Sequence, residues 1–274
     1  MESFNFLLFL AIILVSTKVL GIFSKKVKMP QVVGALVAGV ILGPSVLNLV
    51  QMESDGNFLA YMAEIGVILL MFCAGLETDL SELKANGVAS FIVAMCGVIV
   101  PLVGGFIAYA LYFHVDVSSF HECMKAVFVG TVLTATSVSI TVETLRELGH
   151  LKGKVGSTIL GAAIIDDILG IIVLTIVTSL EDTSVNPAAV FGKIALYFVV
   201  IAVIWFVLAK LKPFLESQDQ LRRTAILALA FCFLMAYVSE KFFGIADITG
   251  AYFAGLMFCA FSVREYIGKK FNVL

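Results

Sequence analysis

The sequence predicts an all-α, multi-pass membrane protein of about nine transmembrane helices, and three observations predict it. Of 274 residues, 61% are hydrophobic and 14% charged, where a soluble domain carries about 25% charge; the mean hydropathy is +1.06. The apolar residues come in blocks long enough to cross a bilayer, which takes about 20 residues of helix. They form neither amphipathic stripes nor the roughly ten-residue alternation of a membrane barrel. The charges collect in the short connections between blocks. With the basic residues scattered over loops and a net charge of −2, nothing points to nucleic acid.

The spans read, by number, 4–23, 30–49, 58–76, 87–113, 124–144, 154–180, 188–211, 221–243 and 246–262. The first begins after Glu2, without the basic leader and small-residue cleavage site of a signal peptide, and is expected to stay in place. Fourteen of the 18 Lys and Arg fall in alternate connections: Lys25, Lys26 and Lys28; Lys84; Arg146, Lys152 and Lys154; Lys210, Lys212, Arg222 and Arg223; Arg264, Lys269 and Lys270. The positive-inside rule then predicts an outside N-terminus and a cytoplasmic C-terminus, in agreement with an odd number of spans.

The second span carries Gly34-Ala-Leu-Val-Ala-Gly39, which recurs in the ninth as Gly250-Ala-Tyr-Phe-Ala-Gly255. Small residues at such places let helix backbones approach closely. An odd number of spans separates the copies, so they would be inverted in the membrane. Inverted repeats are an architecture of secondary transporters, with sites at the midplane. In the third span Glu64 reads as a structural hydrogen bonder. Glu77, Asp79 and Glu82 read as a solvated cluster, and Asp247 as an acid at a helix N-terminus.

The fifth span holds six hydroxyl side chains between Thr131 and Thr141: Thr131, Thr134, Thr136, Ser137, Ser139 and Thr141. Such hydroxyls either bond back to their own helix or support a locally unwound segment. An unwound segment would expose carbonyls, the oxygen ligands that hard cations require. The sixth span holds the strongest signal, Asp166-Asp167, midway along an apolar run. An acid there costs about 2.5–3.5 kcal/mol on insertion scales, and such acids mark ion or proton routes. Counted from the connection between these two spans, Thr134, Thr136 and Ser137 reach the depth of Asp166 and Asp167, which marks the five as candidate ligands of a transported cation.

Adjacent residues on a helix point about 100° apart, so the two acids have separate surroundings. That geometry excludes an intramembrane aspartyl protease, whose acids must face each other across one water. A carboxylate that loses its proton on gaining a cation exchanges one for the other, with no cofactor. No Walker-type glycine loop is present, and the protein reads as a transporter and not an enzyme. Five cysteines show no metal-ligand spacing. None of His114, His121 and His150 has a second ligand at metal spacing, and His150, in the connection after Glu147, is a candidate pH-sensitive group.

Phe72–Leu83 (Phe-Cys-Ala-Gly-Leu-Glu-Thr-Asp-Leu-Ser-Glu-Leu), Thr134–Thr141, Gly161–Gly170 and the Pro30–Pro44 stretch together resemble the bacterial monovalent cation:proton antiporter-2 family, within the Na⁺/H⁺ exchanger superfamily that includes Kef-type potassium efflux proteins. The resemblance runs along essentially the whole chain. It implies exchange of a monovalent cation, Na⁺ first and Li⁺ or K⁺ after it, for protons by alternating access in the inner membrane, a homodimer, and a broken fifth helix. It also implies that Asp167 is the principal ion carrier, with Asp166 beside it. Kef-type members usually differ at the position of Asp166, so K⁺/H⁺ exchange is the alternative. The expected organisation is a first inverted repeat over residues 1–180 (panel 1–86, core 87–180), a linker helix over 181–220, and the start of a second repeat over 221–274. The repeat offset carries the Asp166–Asp167 helix beyond Leu274. The sequence is therefore expected to correspond to the N-terminal two-thirds of an antiporter, with little activity alone or a regulatory role.

Overall fold

Lipid offers no partner to a backbone N–H or C=O, so a chain that spans it must satisfy these groups within helices or a closed barrel. In the computed structural model, which describes residues 5–49, 58–115, 119–181, 187–216, 221–259 and 261, all regular structure is helical. Eleven α-helices appear among the described residues: α1 (Asn5–Lys26), α2 (Gln31–Leu42), α3 (Phe58–Glu77), α4 (Leu80–Ala85), α5 (Gly87–Phe113) and α6 (Phe120–Val132), followed by α7 (Val138–Glu147), α8 (Lys154–Glu181), α9 (Pro187–Glu216), α10 (Leu221–Val238) and α11 (Asp247–Phe258). Six of these segments are long and apolar enough to cross a membrane. The expected second, fifth and ninth spans take shorter forms. Arg264, Lys269 and Lys270, on which the charge bias also drew, lie outside the described residues.

The chain divides into two compact units, Met1–Leu70 with Ser139–Leu151, and Met71–Val138 with Lys152–Leu274. In the first, α1 ends on Lys25 and Lys26, whose charge suits the negative end of the helix dipole. The Ser24 hydroxyl donates to the Pro30 carbonyl at 2.7 Å and closes the turn into α2. Pro30 offers no side-chain cap; the Gln31 N–H donates instead to the Glu147 carboxylate of α7. The expected 30–49 span stops as a helix at Leu42, and Gly43 caps it in extended conformation. The reason is Pro44, which disfavours helical backbone in the residue before it. Glu64 is exposed on α3 and not buried as a structural hydrogen bonder would be.

In the second unit, α4 was not foreseen. Asp79 is its N-cap, accepting from the Ser81 N–H at 2.8 Å and the Glu82 N–H at 3.4 Å, and it stays exposed, as expected of that acidic cluster. Helix α5 packs on α8, where the Asn86 Nδ2 donates to the Ser157 hydroxyl at 3.0 Å and the Ser90 hydroxyl to the Thr158 carbonyl at 3.0 Å. It also packs on α6, where Gly105 and Gly130 meet backbone to backbone. The end of α3 meets α11 in the same way, and the Tyr252 and Thr78 hydroxyls bond at 3.1 Å beside that crossing. The expected eighth span ends in a π-helical turn, Ser239–Phe243, stopped by Gly244 in the left-handed conformation at φ 69°, which glycine adopts without steric cost.

Candidate functional site

The fifth expected span breaks. Helix α6 stops at Val132 and α7 starts at Val138, with a non-helical stretch between them. The residues of the break explain it. Thr131 donates its hydroxyl to the Val127 carbonyl at 2.9 Å, an ordinary back-bond that leaves the helix intact. Thr134 donates to the Thr131 carbonyl at 2.8 Å and Thr136 to the Thr134 carbonyl at 3.3 Å. These short-range bonds offer the backbone an alternative to the helical ladder. The carbonyls of the last turn of α6 take short-range partners, Thr131 the Thr134 N–H and hydroxyl and Val132 the Ala135 N–H, each with one lone pair or more left over or shared.

A cavity of about 400 Å³ opens at this break. Thr131, Thr134 and Thr136 line one side, Asp166, Asp167 and Gly170 of α8 another, and Ala246 at the head of α11 a third. The first turn of α11, the positive end of its dipole, thus borders the cavity that the two carboxylates enter. Of the five residues selected from sequence, four line this one space: Asp166, Asp167, Thr134 and Thr136. Ser137 is exposed in the break and is not among the lining residues.

The two acids have separate surroundings, as the 100° step of a helix requires. Asp166 shares the cavity wall with Thr136. Its Oδ1 is buried without a hydrogen-bond partner among the described residues and points at α5 beside Gly97. Asp167 turns toward α11, where the Thr249 hydroxyl donates to its Oδ2 at 3.1 Å. Thr249 is 1% exposed. Sequence reasoning missed it, because a lone hydroxyl beside the repeated Gly250–Gly255 pattern does not show which helix it faces.

Asp247 opens α11, its Oδ1 accepting from the Ile248 N–H at 2.7 Å, in line with its expected N-terminal place. His150 is exposed in the turn after α7.

The chemistry of this donor set is that of a hard-cation site: carboxylates, hydroxyls and helix-end carbonyls around a space large enough for an ion and water. The family described as "Sodium/hydrogen exchanger, transmembrane" matches residues 10–274. The chain is 39% identical over 270 residues to the Na(+)/H(+)-K(+) antiporter GerN of Bacillus cereus, covering 98% of this chain and 67% of that protein. It is 35% identical to a Na(+)/H(+) antiporter of Enterococcus hirae, covering 98% of this chain and 69% of that one. Its fold is similar to that of the sodium proton antiporter MjNhaP1 of Methanocaldococcus jannaschii, with a TM-score of 0.70 at 18% identity over 100% of this chain and 67% of that one. The chain thus spans about two thirds of the length of the relatives it matches.

Proposed function

The chain belongs to the sodium/hydrogen exchanger family, and we propose that its residues serve the exchange of a monovalent cation, Na⁺, for protons, with Asp167 as the carrier. The observation that carries this reading is the juxtaposition of two carboxylates, midway along a membrane-length helix, with the break between α6 and α7 in one cavity. Asp166, Asp167, Thr134 and Thr136 supply oxygen ligands there, with Ser137 at the end of the break. A carboxylate that must hold either a proton or a cation before the protein turns between its two faces couples the two flows. The helix-end carbonyls, by replacing part of the cation's water, make the cation an adequate substitute for the proton.

The wider assignment follows the same reading. The protein is a multi-pass membrane protein, and we place it in the inner membrane as a homodimer of the cation:proton antiporter-2 branch, with the N-terminus outside and the C-terminus cytoplasmic. Residues 1–180 form the first inverted repeat, 181–220 the linker helix and 221–274 the start of the second. A second cation, K⁺, is favoured by one observation: the 39% identical relative is named a Na(+)/H(+)-K(+) antiporter. The test is cation-driven proton movement in everted vesicles, with these residues carried in an exchanger of the relatives' full length, of which the chain spans about two thirds. Asp167→Asn is expected to abolish it for Na⁺ and K⁺ alike, and normal exchange by that variant would end the carrier assignment.

A further inference from the structure

Most buried hydroxyls in this protein spend their proton on their own helix. Thr78 donates to the Ala74 carbonyl, Thr131 to Val127, Thr175 to Ile171 and Ser239 to Met235, each one turn back. Thr249 stands in the first turn of α11, where the Ala246 carbonyl three residues back takes the Thr249 and Gly250 N–H groups. Its proton goes instead to Asp167 Oδ2, across from α11 to α8.

The placement of that hydroxyl is firmly set. Gly250 lies against the Met235 carbonyl and the Ser239 hydroxyl so closely that an added Cβ would stand 2.5 and 2.2 Å from them. Ser239 is in turn held by Tyr197, the two hydroxyls lying 3.1 Å apart. The Thr249 N–H bonds to the Ala246 carbonyl at 3.0 Å, and Ala246 lines the cavity. The π-helical turn, Gly244 and the head of α11 therefore present one hydroxyl at a fixed point beside the carrier carboxylate.

We propose that Thr249 is a cation ligand that α11 contributes to the Asp167 site, its hydroxyl oxygen sharing the ion with Asp167 Oδ2. A hydroxyl has one proton to donate and two lone pairs to offer. In the cation-free geometry the proton points at Oδ2. When a cation enters, the proton turns away and the lone pairs face the ion. The spacing suits this: hard cations of calcium's size hold oxygens at about 2.3–2.6 Å, which sets neighbouring ligands of an octahedral shell roughly 3.3–3.7 Å apart. The observed 3.1 Å between the two oxygens is close to that edge, so binding needs little rearrangement. Because the hydroxyl is neutral, it adds affinity without altering the one-for-one exchange of charge at the carboxylate.

This inference rests on the exchange reading above, and the test separates the two. Thr249→Val keeps the shape and removes the hydroxyl, Thr249→Ala removes it with less bulk, and Thr249→Ser restores it. With NaCl as the probe in everted vesicles, Thr249→Val and Thr249→Ala are each expected to raise the Na⁺ concentration for half-maximal exchange about tenfold, the loss of one hydrogen-bond-sized contact. The rate at saturating Na⁺ is expected to fall much less, since a missing ligand removes ground-state binding. Thr249→Ser is expected to return the half-maximal concentration to within about twofold of the parent, the hydroxyl being the group that counts. An unchanged half-maximal concentration in Val and Ala, or an equal rise in Ser, overturns the ligand role. If Asp167→Asn abolishes exchange while the Thr249 variants bind Na⁺ as the parent does, only this inference fails. If Asp167→Asn exchanges normally, the site reading fails first.

Discussion

Helices α2 and α11 carry the same six-residue pattern and are both 12 residues long, yet they sit in their units quite differently. In α2 the buried residues are Gly34, Ala38 and Leu42, one narrow stripe. Gly34 lies against the Leu20 carbonyl of α1, where an added Cβ would stand at 2.3 Å, while Gly39 has open space around it. In α11 nearly every residue from Thr249 to Phe258 is buried. Gly250 closes on α10, and Gly255 closes on the end of α3, its added Cβ meeting the Phe72 carbonyl at 2.1 Å. The pattern states that a helix backbone can be approached; the number of neighbours that come determines how many of its small residues are used. In lipid this follows from the absence of a hydrophobic drive between helices, so that close contact arises only where another helix is present to supply it.

Three substitutions grade that difference, in addition to the loss of exchange in Asp167→Asn and the affinity shift in the Thr249 variants. Gly255→Ala is expected to have the largest effect on stability, about 3 kcal/mol or more, because the clash is with backbone beside Phe72, itself 0% exposed. Gly34→Ala is expected to cost less, about 1–2 kcal/mol, because many large side chains of α1 are exposed and that helix can shift. Gly39→Ala is expected to stabilise α2 by about 0.5–1 kcal/mol through helix propensity alone, since nothing lies within reach of the new methyl. Thermal midpoints in detergent rank the three. If Gly34→Ala proves as damaging as Gly255→Ala, α2 is as confined as α11 and the contrast dissolves.

Much of the site was legible because its chemistry contradicts its surroundings. Two carboxylates in an apolar run are conspicuous at any reading, and Asp166 and Asp167 do share a cavity with Thr134 and Thr136. The break in the fifth span was legible for a related reason, a density of hydroxyls that compete with the helical ladder. Thr249 was not legible. A single threonine in an apolar helix carries no sequence signal that separates a back-bonded hydroxyl from one aimed at another helix. Asp79 is exposed, as an acid among others in a loop reads, but its capping of α4 shows only in the bonds from Ser81 and Glu82.

By itself the sequence determined the class of the protein, the places of its long helices and the identity of its charged centre. These depend on local quantities: the length of an apolar run against the thickness of a bilayer, and the cost of a carboxylate within it. The fold alone decided which hydroxyl reaches Asp167, which carboxylate oxygen lacks a hydrogen-bond partner among the described residues, and which of two like helices is buried along most of its length. Each of these depends on distances between helices far apart in the chain. A pattern of residues permits such an approach without specifying the partner.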